Sequence, residues 1–259
     1  MTIDPARLRL VAFDLDDTLA DSKSPMTPEM AQALSRLLDH LLVGIISGGR
    51  LQQFEAQVLR CLPPGAKLDN LHLMPTCGTR YLRFTPSGWH EVYNQDLTEE
   101  EKAQAIASLT RRAQEVGAWE PDDKVTGPRI EDRGSQITYS ALGQQATPEV
   151  KRAWDADGSK RHALRDAVAA DLPGLAVAAG GSTSIDITRR GVDKAYGIQM
   201  LSRETGIPLS EMIFIGDRTE PGGNDYPVVC LGVTTVPVKS WRDTVDVVTG
   251  LCDRLDGKQ

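Results

Sequence analysis

The chain has 259 residues, 40% of them hydrophobic and 25% charged, with a formal net charge of -7. That length can fill one large or two modest cores, and the composition is that of a soluble globular protein. The negative balance excludes nucleic acid and an anionic membrane as main partners, but leaves room for a small phosphorylated molecule at a locally positive site.

In chain order, Met1-Thr2-Ile3-Asp4-Pro5 shows no signal-peptide pattern. The apolar run over 8–13 ends abruptly in Asp14-Leu15-Asp16-Asp17-Thr18. It reads as a buried parallel strand, and ligands collect at the carboxyl ends of such strands. Three acidic side chains crowded there repel one another unless a cation neutralises them, so the pattern points to a hard divalent ion beside a carboxylate nucleophile. A solvated acidic turn is the alternative. Thr27 before Pro28 marks a helix start, and Met30, Leu34, Leu37, Leu38 and Leu41 follow at helical spacing. A second buried strand over 43–46 ends at Ser47-Gly48-Gly49-Arg50, and a helix is expected over 51–59. Strand and helix alternating in this way imply a parallel sheet with right-handed crossovers.

The style changes near residue 80. A hairpin over 80–93 turns at Pro86-Ser87-Gly88, and a helix over 98–116 opens with a capping box of Thr98 and Glu101. Residues 135–141 alternate, predicting a half-buried strand with Gln136, Thr138 and Ser140 facing out. A helix over 159–170 and strands over 175–179 and 183–188 complete an α+β insert with an antiparallel sheet. From Asp193 the parallel style returns: a helix ending at Gly206, buried strands over 212–215 and 228–233, and a last helix striped by Trp241, Val245, Val248, Leu251 and Leu255. The fold class expected is therefore α/β, a Rossmann-like doubly wound parallel sheet with an inserted α+β cap. The core would span 1–90 and 188–259 and the cap 91–187.

Four signals stand in order at strand ends or helix starts: Asp14-Leu15-Asp16-Asp17-Thr18, Ser47-Gly48-Gly49-Arg50, Lys194, and Gly216-Asp217 with Gly222-Gly223-Asn224-Asp225. Over nearly the whole chain this order resembles the haloacid dehalogenase superfamily of phosphotransferases, in the branch with a large α+β cap. The stretch from Phe214 to Asp225, with Gly180-Gly181, Ser184-Ile185-Asp186-Ile187 and Gly191-Val192-Asp193-Lys194, is similar to eukaryotic-type phosphomannomutases. The resemblance implies Asp14 as nucleophile, forming an aspartyl-phosphate, and Asp16 as general acid and then base. It also implies Ser47 as a hydrogen-bond donor to the phosphoryl oxygens and Lys194 as the compensating charge. Mg2+ is the implied cofactor, held by Asp14, Asp217, the backbone carbonyl of Asp16, and Asp225 through water. Gly48 and Asn224 would line the substrate, and Arg133, Ser184 and Asp186 of the cap would choose the sugar. Such caps also mediate homodimers, though no apolar stripe here compels one.

The pattern departs from the mutases in the cap. The arginines that hold a distal phosphate there match Gln144 and Lys151 here, and lysine does not replace arginine in bidentate phosphate binding. Arg50 and Arg129 are left to restore positive charge. A mutase must hold a bisphosphate through reorientation, whereas a phosphatase holds one phosphate, so the expectation is a Mg2+-dependent phosphatase of a sugar phosphate. A phosphomannomutase or phosphoglucomutase is the alternative, and a non-catalytic ligand-binding protein the lesser one. Asp155-Ala156-Asp157-Gly158 reads as a turn rather than a calcium loop, since glycine falls at the fourth position and no glutamate stands at the twelfth. The cysteines Cys61, Cys77, Cys230 and Cys252 lack zinc or disulfide spacing, which fits a reducing cytoplasm. No apolar run reaches the ~18 residues of a membrane span.

Overall fold

The computed structural model describes residues 7–257, so the expectation about Met1-Thr2-Ile3-Asp4-Pro5 lies outside the described residues. In chain order the elements are β1 (Leu10–Phe13), α1 (Pro28–Leu38), β2 (Leu42–Ile46), α2 (Leu51–Phe54), β3 (Leu71–Met74), β4 (Arg80–Thr85) and β5 (Gly88–Asn94). Next come α3 (Glu99–Glu115), β6 (Ile130–Asp132), β7 (Gln136–Ser140), α4 (Pro148–Trp154), α5 (Ser159–Asp171), β8 (Leu175–Ala179) and β9 (Ser184–Arg189). The chain closes with α6 (Lys194–Thr205), β10 (Met212–Gly216), α7 (Tyr226–Cys230), β11 (Thr234–Pro237) and α8 (Trp241–Leu255). Two compact units result: Gln95–Gly191, and the flanking segments up to Asn94 and from Val192.

The flanking segments share a seven-stranded sheet in the order β11-β10-β1-β2-β3-β4-β5. Strands from β11 to β3 run parallel, and the β4–β5 hairpin extends the sheet antiparallel. Strand β1 lies between β10 and β2, and all four of its side chains are buried. Val11 and Phe13 pack with α1 and α8 through Met30, Leu34, Trp241 and Val248. Leu10 and Ala12 pack on the other face with Ile198 and Leu201 of α6. Helices on both faces explain why β1 is continuously apolar rather than alternating. The register pairs Phe13 with both Ile45 and Ile215, so the segments after β1, β2 and β10 leave the sheet at one level.

In these flanking segments three elements differ from expectation. Residues 228–233 form no strand: α7 occupies 226–230 with Pro227 in its first turn, Gly232 ends it at φ +84°, and the strand is β11. A short apolar run has no periodicity that separates a buried strand from a buried helix, and the proline and glycine decide it. The helix over 51–59 is α-helical only to Phe54 and continues as a π-helical turn, Glu55–Leu59. Strand β3 was not anticipated, because four residues that include His72 give little pattern.

In the unit Gln95–Gly191 the sheet order is β6-β7-β9-β8, antiparallel throughout. Leu109 of α3 and Leu164 and Val168 of α5 pack on Ile137, Tyr139, Ile185 and Ile187. The expected capping box at Thr98 and Glu101 forms. Strand β7 is fully buried, not half-buried. Its polar side chains are sheltered because they bond within the unit: Gln136 and Thr138 to Asp186, and Ser140 to the Gly143 carbonyl.

Helix α6 lies very close to the loop after β3. A Cβ on Gly78 would fall 2.5 Å from Gly197 Cα, and one on Gly197 would fall 3.0 Å from the Cys77 carbonyl oxygen. Gly197→Val is therefore expected to cost about 1–3 kcal/mol in chemical denaturation, by forcing helix and loop apart. Gly250→Ala on α8, where a Cβ meets nothing within 4 Å, is expected to gain up to about 1 kcal/mol.

Candidate active site

The backbone places the first aspartate: the Asp14 amide donates to the Ile215 carbonyl, which carries β1 pairing one residue past Phe13. Asp14 and Ser47, at the ends of β1 and β2, are both buried. Ser47 Oγ accepts the Gly49 amide at 3.1 Å, which leaves its own proton free to donate. The loop after β3 braces this turn. Thr76 and Cys77 both stand at positive φ, held as their amides donate to the Gly49 and Ser47 carbonyls.

Lys194 is the first residue of α6, whose N-cap Asp193 accepts the Tyr196 amide. Only 2% exposed, it sets Nζ 2.7 Å from Asp14 Oδ1 and 2.5 Å from Asp225 Oδ1. Asp225 Oδ2 accepts the Arg218 amide at 3.0 Å. Glycines make room for this: a Cβ on Gly216 would fall 2.3 Å from Asp225 Oδ2, and one on Gly223 would fall 2.0 Å from the Arg218 carbonyl oxygen.

Asp14, Asp217 and Asp225 bring one carboxylate oxygen each within 4.8 Å of one another. One lysine thus faces three carboxylates, a net negative charge that burial makes costly. Burial pushes Asp14 up to about 7, against the pull of Lys194 and with Asp225 adding to the push. Burial raises Asp217 as well. Burial favours the neutral amine of Lys194, yet Asp14 and Asp225 hold it above its ordinary range. An oxygen-only set with uncompensated charge fits a hard divalent cation and not zinc, which favours nitrogen and sulfur.

The Asp16 side chain stays out of this cluster. Its Oδ1 accepts the Lys23 amide at 2.8 Å, and its Oδ2 accepts Gln53 Nε2 at 2.8 Å. Asp17 is exposed and accepts the Ser22 amide. Gly48 is half-buried, and Asn224 is exposed next to the buried Asp225.

Within Gln95–Gly191, Asp186 Oδ1 accepts Gln136 Nε2 at 2.8 Å and Thr138 Oγ1 at 2.7 Å. Burial raises its carboxyl, against the pull of Arg133. Ser184 lies two residues away on the same face of β9, and Arg133 Nε pairs with Glu131 at 2.7 Å. Two cationic side chains weighed for phosphate binding are engaged within the unit. Arg129 pairs with Asp122 at 2.6 Å and stacks over Trp119, so it does not restore the charge expected of it. Lys151 Nζ donates to the Gln144 carbonyl. Sequence reasoning missed Gln53, Gln136 and Thr138, since an amide or hydroxyl has no charge signature and each is recognised only by the carboxylate it touches.

The charge excess gives a stability prediction with a definite sign. A carboxyl whose folded pKa is raised from about 3.8 to about 7 loses stability as pH rises through that window, because the folded state holds the proton more tightly. Mg2+ is therefore expected to raise Tm more at about pH 8 than at about pH 5, since it replaces a proton already lost. Scanning calorimetry with and without Mg2+ measures this. Lys194→Met is expected to destabilise the metal-free protein by about 3–5 kcal/mol near pH 8, by leaving buried carboxylates unpaired.

Comparison with known proteins shows the family of this chain. The family of haloacid dehalogenase-like hydrolases matches residues 11–228. A phosphomannomutase of Saccharomyces cerevisiae is 26% identical over 250 residues, covering 93% of this chain and 93% of that protein. A phosphomannomutase of Drosophila melanogaster is 29% identical over 232 residues, 85% of each chain. Among solved structures, a C-terminal truncated Plasmodium falciparum IMP-nucleotidase superposes with a TM-score of 0.69 at 14% identity, over 97% of this chain and 72% of that one. A trehalose-6-phosphate phosphatase related protein gives a TM-score of 0.56 at 14% identity, over 96% of this chain and 100% of that one. At such identities these two structures show a common fold alone. With the family matched over most of its length, the chain belongs to the haloacid dehalogenase-like hydrolases.

Proposed function

We propose that this protein is a Mg2+-dependent phosphotransferase that acts on a hexose phosphate through a phosphorylated Asp14, in the manner of a phosphomannomutase. The observation that carries the reading is the buried Asp14, ion-paired to Lys194 and clustered with Asp217 and Asp225 where β1 and β10 end. Asp14 would attack phosphorus while the bond from phosphorus to the sugar oxygen breaks. Asp16 would give that oxygen its proton, then take one from the acceptor hydroxyl that attacks phospho-Asp14. Lys194 would offset the charge on Asp14 and the phosphoryl group, and the free proton of Ser47 would reach a phosphoryl oxygen. Mg2+ would be held by Asp14, Asp217, the Asp16 carbonyl and, through water, Asp225, and when bound supplies neutralising charge to carboxylate and phosphate. Gly48 and Asn224 would border the phosphate, with Arg133, Ser184 and Asp186 choosing the sugar.

Sequence analysis puts hydrolysis first, and the phosphomannomutase relatives reverse that order. Hydrolysis, with water as acceptor, stays as the second reading on a specific observation: Gln144 is uncharged and Lys151 is tied to its carbonyl, so little charge is presented for a distal phosphate. We propose a cytoplasmic location, in keeping with four cysteines that lack disulfide spacing.

Assays of mannose and glucose phosphates with Mg2+, with and without hexose 1,6-bisphosphate, decide between them when isomerised sugar and free phosphate are followed together. Isomerisation that needs the bisphosphate is expected. Free phosphate released without activator would establish the hydrolase instead. Asp14→Asn is expected to lower either activity by at least about 10³-fold. A variant that turns over like the wild type would exclude both.

A further inference from the structure

We propose that Gln53, seated over Gly49, is a positioning residue that fixes the Asp16 carboxylate. The inference rests on the reading of Asp16 as general acid and base, and adds to it the residues that set where that carboxylate stands.

Asp16 belongs to a tight loop after β1: Asp17 and Lys23 stand at positive φ, and the Asp17 amide donates to the Ala20 carbonyl. Only two residues from Asp14, its carboxylate could fall into the acidic cluster. It is held out by a donor at each end. The Lys23 amide bonds Oδ1 and Gln53 Nε2 bonds Oδ2, both at 2.8 Å. Gln57, one turn after Gln53, is buried and ties the same loop down, with Nε2 2.8 Å from the Ser24 carbonyl and 3.4 Å from Asp16 Oδ1.

The orientation of the Gln53 amide follows from its surroundings. With Nε2 donating to Asp16 Oδ2, the carbonyl end of the Gln53 amide faces away from that carboxyl group. That carbonyl end lies against Gly49, where a Cβ would fall 2.1 Å from Gln53 Oε1. Gly49 is not among the glycines at positive φ, so its backbone does not demand glycine. The space above it is what the Gln53 amide uses. The pair Gly49–Gln53 thus links the loop after β2 to the carboxylate after β1. An acid that must meet a leaving oxygen gains from such a hold, because a misplacement of about 1 Å costs on the order of 10²-fold in rate.

The test compares the wild type with Gln53→Leu, Gly49→Ala, Gln53→Lys and Asp16→Asn, using mannose 6-phosphate and p-nitrophenyl phosphate, together with a crystal structure of Gln53→Leu. With the sugar phosphate, Gln53→Leu is expected to lower kcat about 10- to 100-fold at an unchanged KM. Gly49→Ala should move kcat in the same direction with Gln53 intact, and Gln53→Lys, which still donates, should recover much of the loss. With p-nitrophenyl phosphate, whose leaving group needs little protonation, the rate of Asp14 phosphorylation should change little, a selectivity that general damage to the fold would not produce. In the crystal the Asp16 carboxylate should leave its observed place. An Asp16 carboxylate unmoved in Gln53→Leu overturns the inference whatever the turnover, as does wild-type kcat in Gln53→Leu and Gly49→Ala while Asp16→Asn is inactive. Full activity in Asp16→Asn would instead remove the acid–base reading, and the inference with it.

Discussion

Two buried carboxylates, Asp14 and Asp225, and the half-buried Asp217 gather around one lysine near the ends of β1 and β10, and close packing keeps that lysine in place. Lys194 has no slack: it is the first residue of α6, and α6 is pressed against the loop after β3 where Gly78 and Gly197 meet. A Cβ on Gly44 of β2 would fall 2.4 Å from Leu201 Cδ2 on the same helix, so that side chain fills the space the glycine leaves. On the other side of the ammonium, Asp225 is set by the missing side chains of Gly216 and Gly223. Close backbone approach is therefore the structural means, and a fixed Asp14–Lys194–Asp225 chain the electrostatic result. Even so the balance is negative, and the remaining charge makes the cluster receptive to a divalent cation and Asp14 easy to protonate without one.

The same geometry separates two aspartates that are near neighbours in sequence. Asp14 is buried among charges, where a nucleophile facing a phosphoryl group is useful only if its own charge is compensated. Asp16 is held by amide donors away from the cluster, where a carboxylate can exchange a proton with a leaving or entering oxygen. The division of labour proposed for these two carboxylates follows from the partners each is given, a lysine amid further carboxylates for one, neutral donors for the other. In the unit Gln95–Gly191 the principle recurs, as Gln136 and Thr138 fix one oxygen of Asp186. The acceptor of the phosphoryl group, sugar or water, is the point on which the two proposed activities part.

Much of the core was legible because its signals are abrupt. The apolar run to Phe13 stops at Asp14, Thr27 and Pro28 announce α1, and Asp193 caps the helix that carries Lys194. Residues 228–233 were misread since an apolar run without period fits helix or strand, and only Pro227 and Gly232 tip it. The polar face of β7 looked solvated, as nothing local to Gln136, Thr138 and Ser140 reveals that their partners lie on β9 and in the turn at Gly143. Arg129 carries a charge that sequence assigns to a ligand and the fold assigns to Asp122. Charges and breaks are local and readable, whereas amide donors and glycine contacts act across sequence distance and appear only when the chain is folded.

The central claim is that phosphorus passes through Asp14. Rapid quenching during turnover of a sugar phosphate with Mg2+, followed by borohydride reduction and peptide mass spectrometry, reads this directly, since hydride converts an aspartyl-phosphate to homoserine. The account expects homoserine at Asp14 and at no other aspartate, and none in Asp14→Asn. Turnover without modification of Asp14, or phosphate carried by another residue, would contradict it.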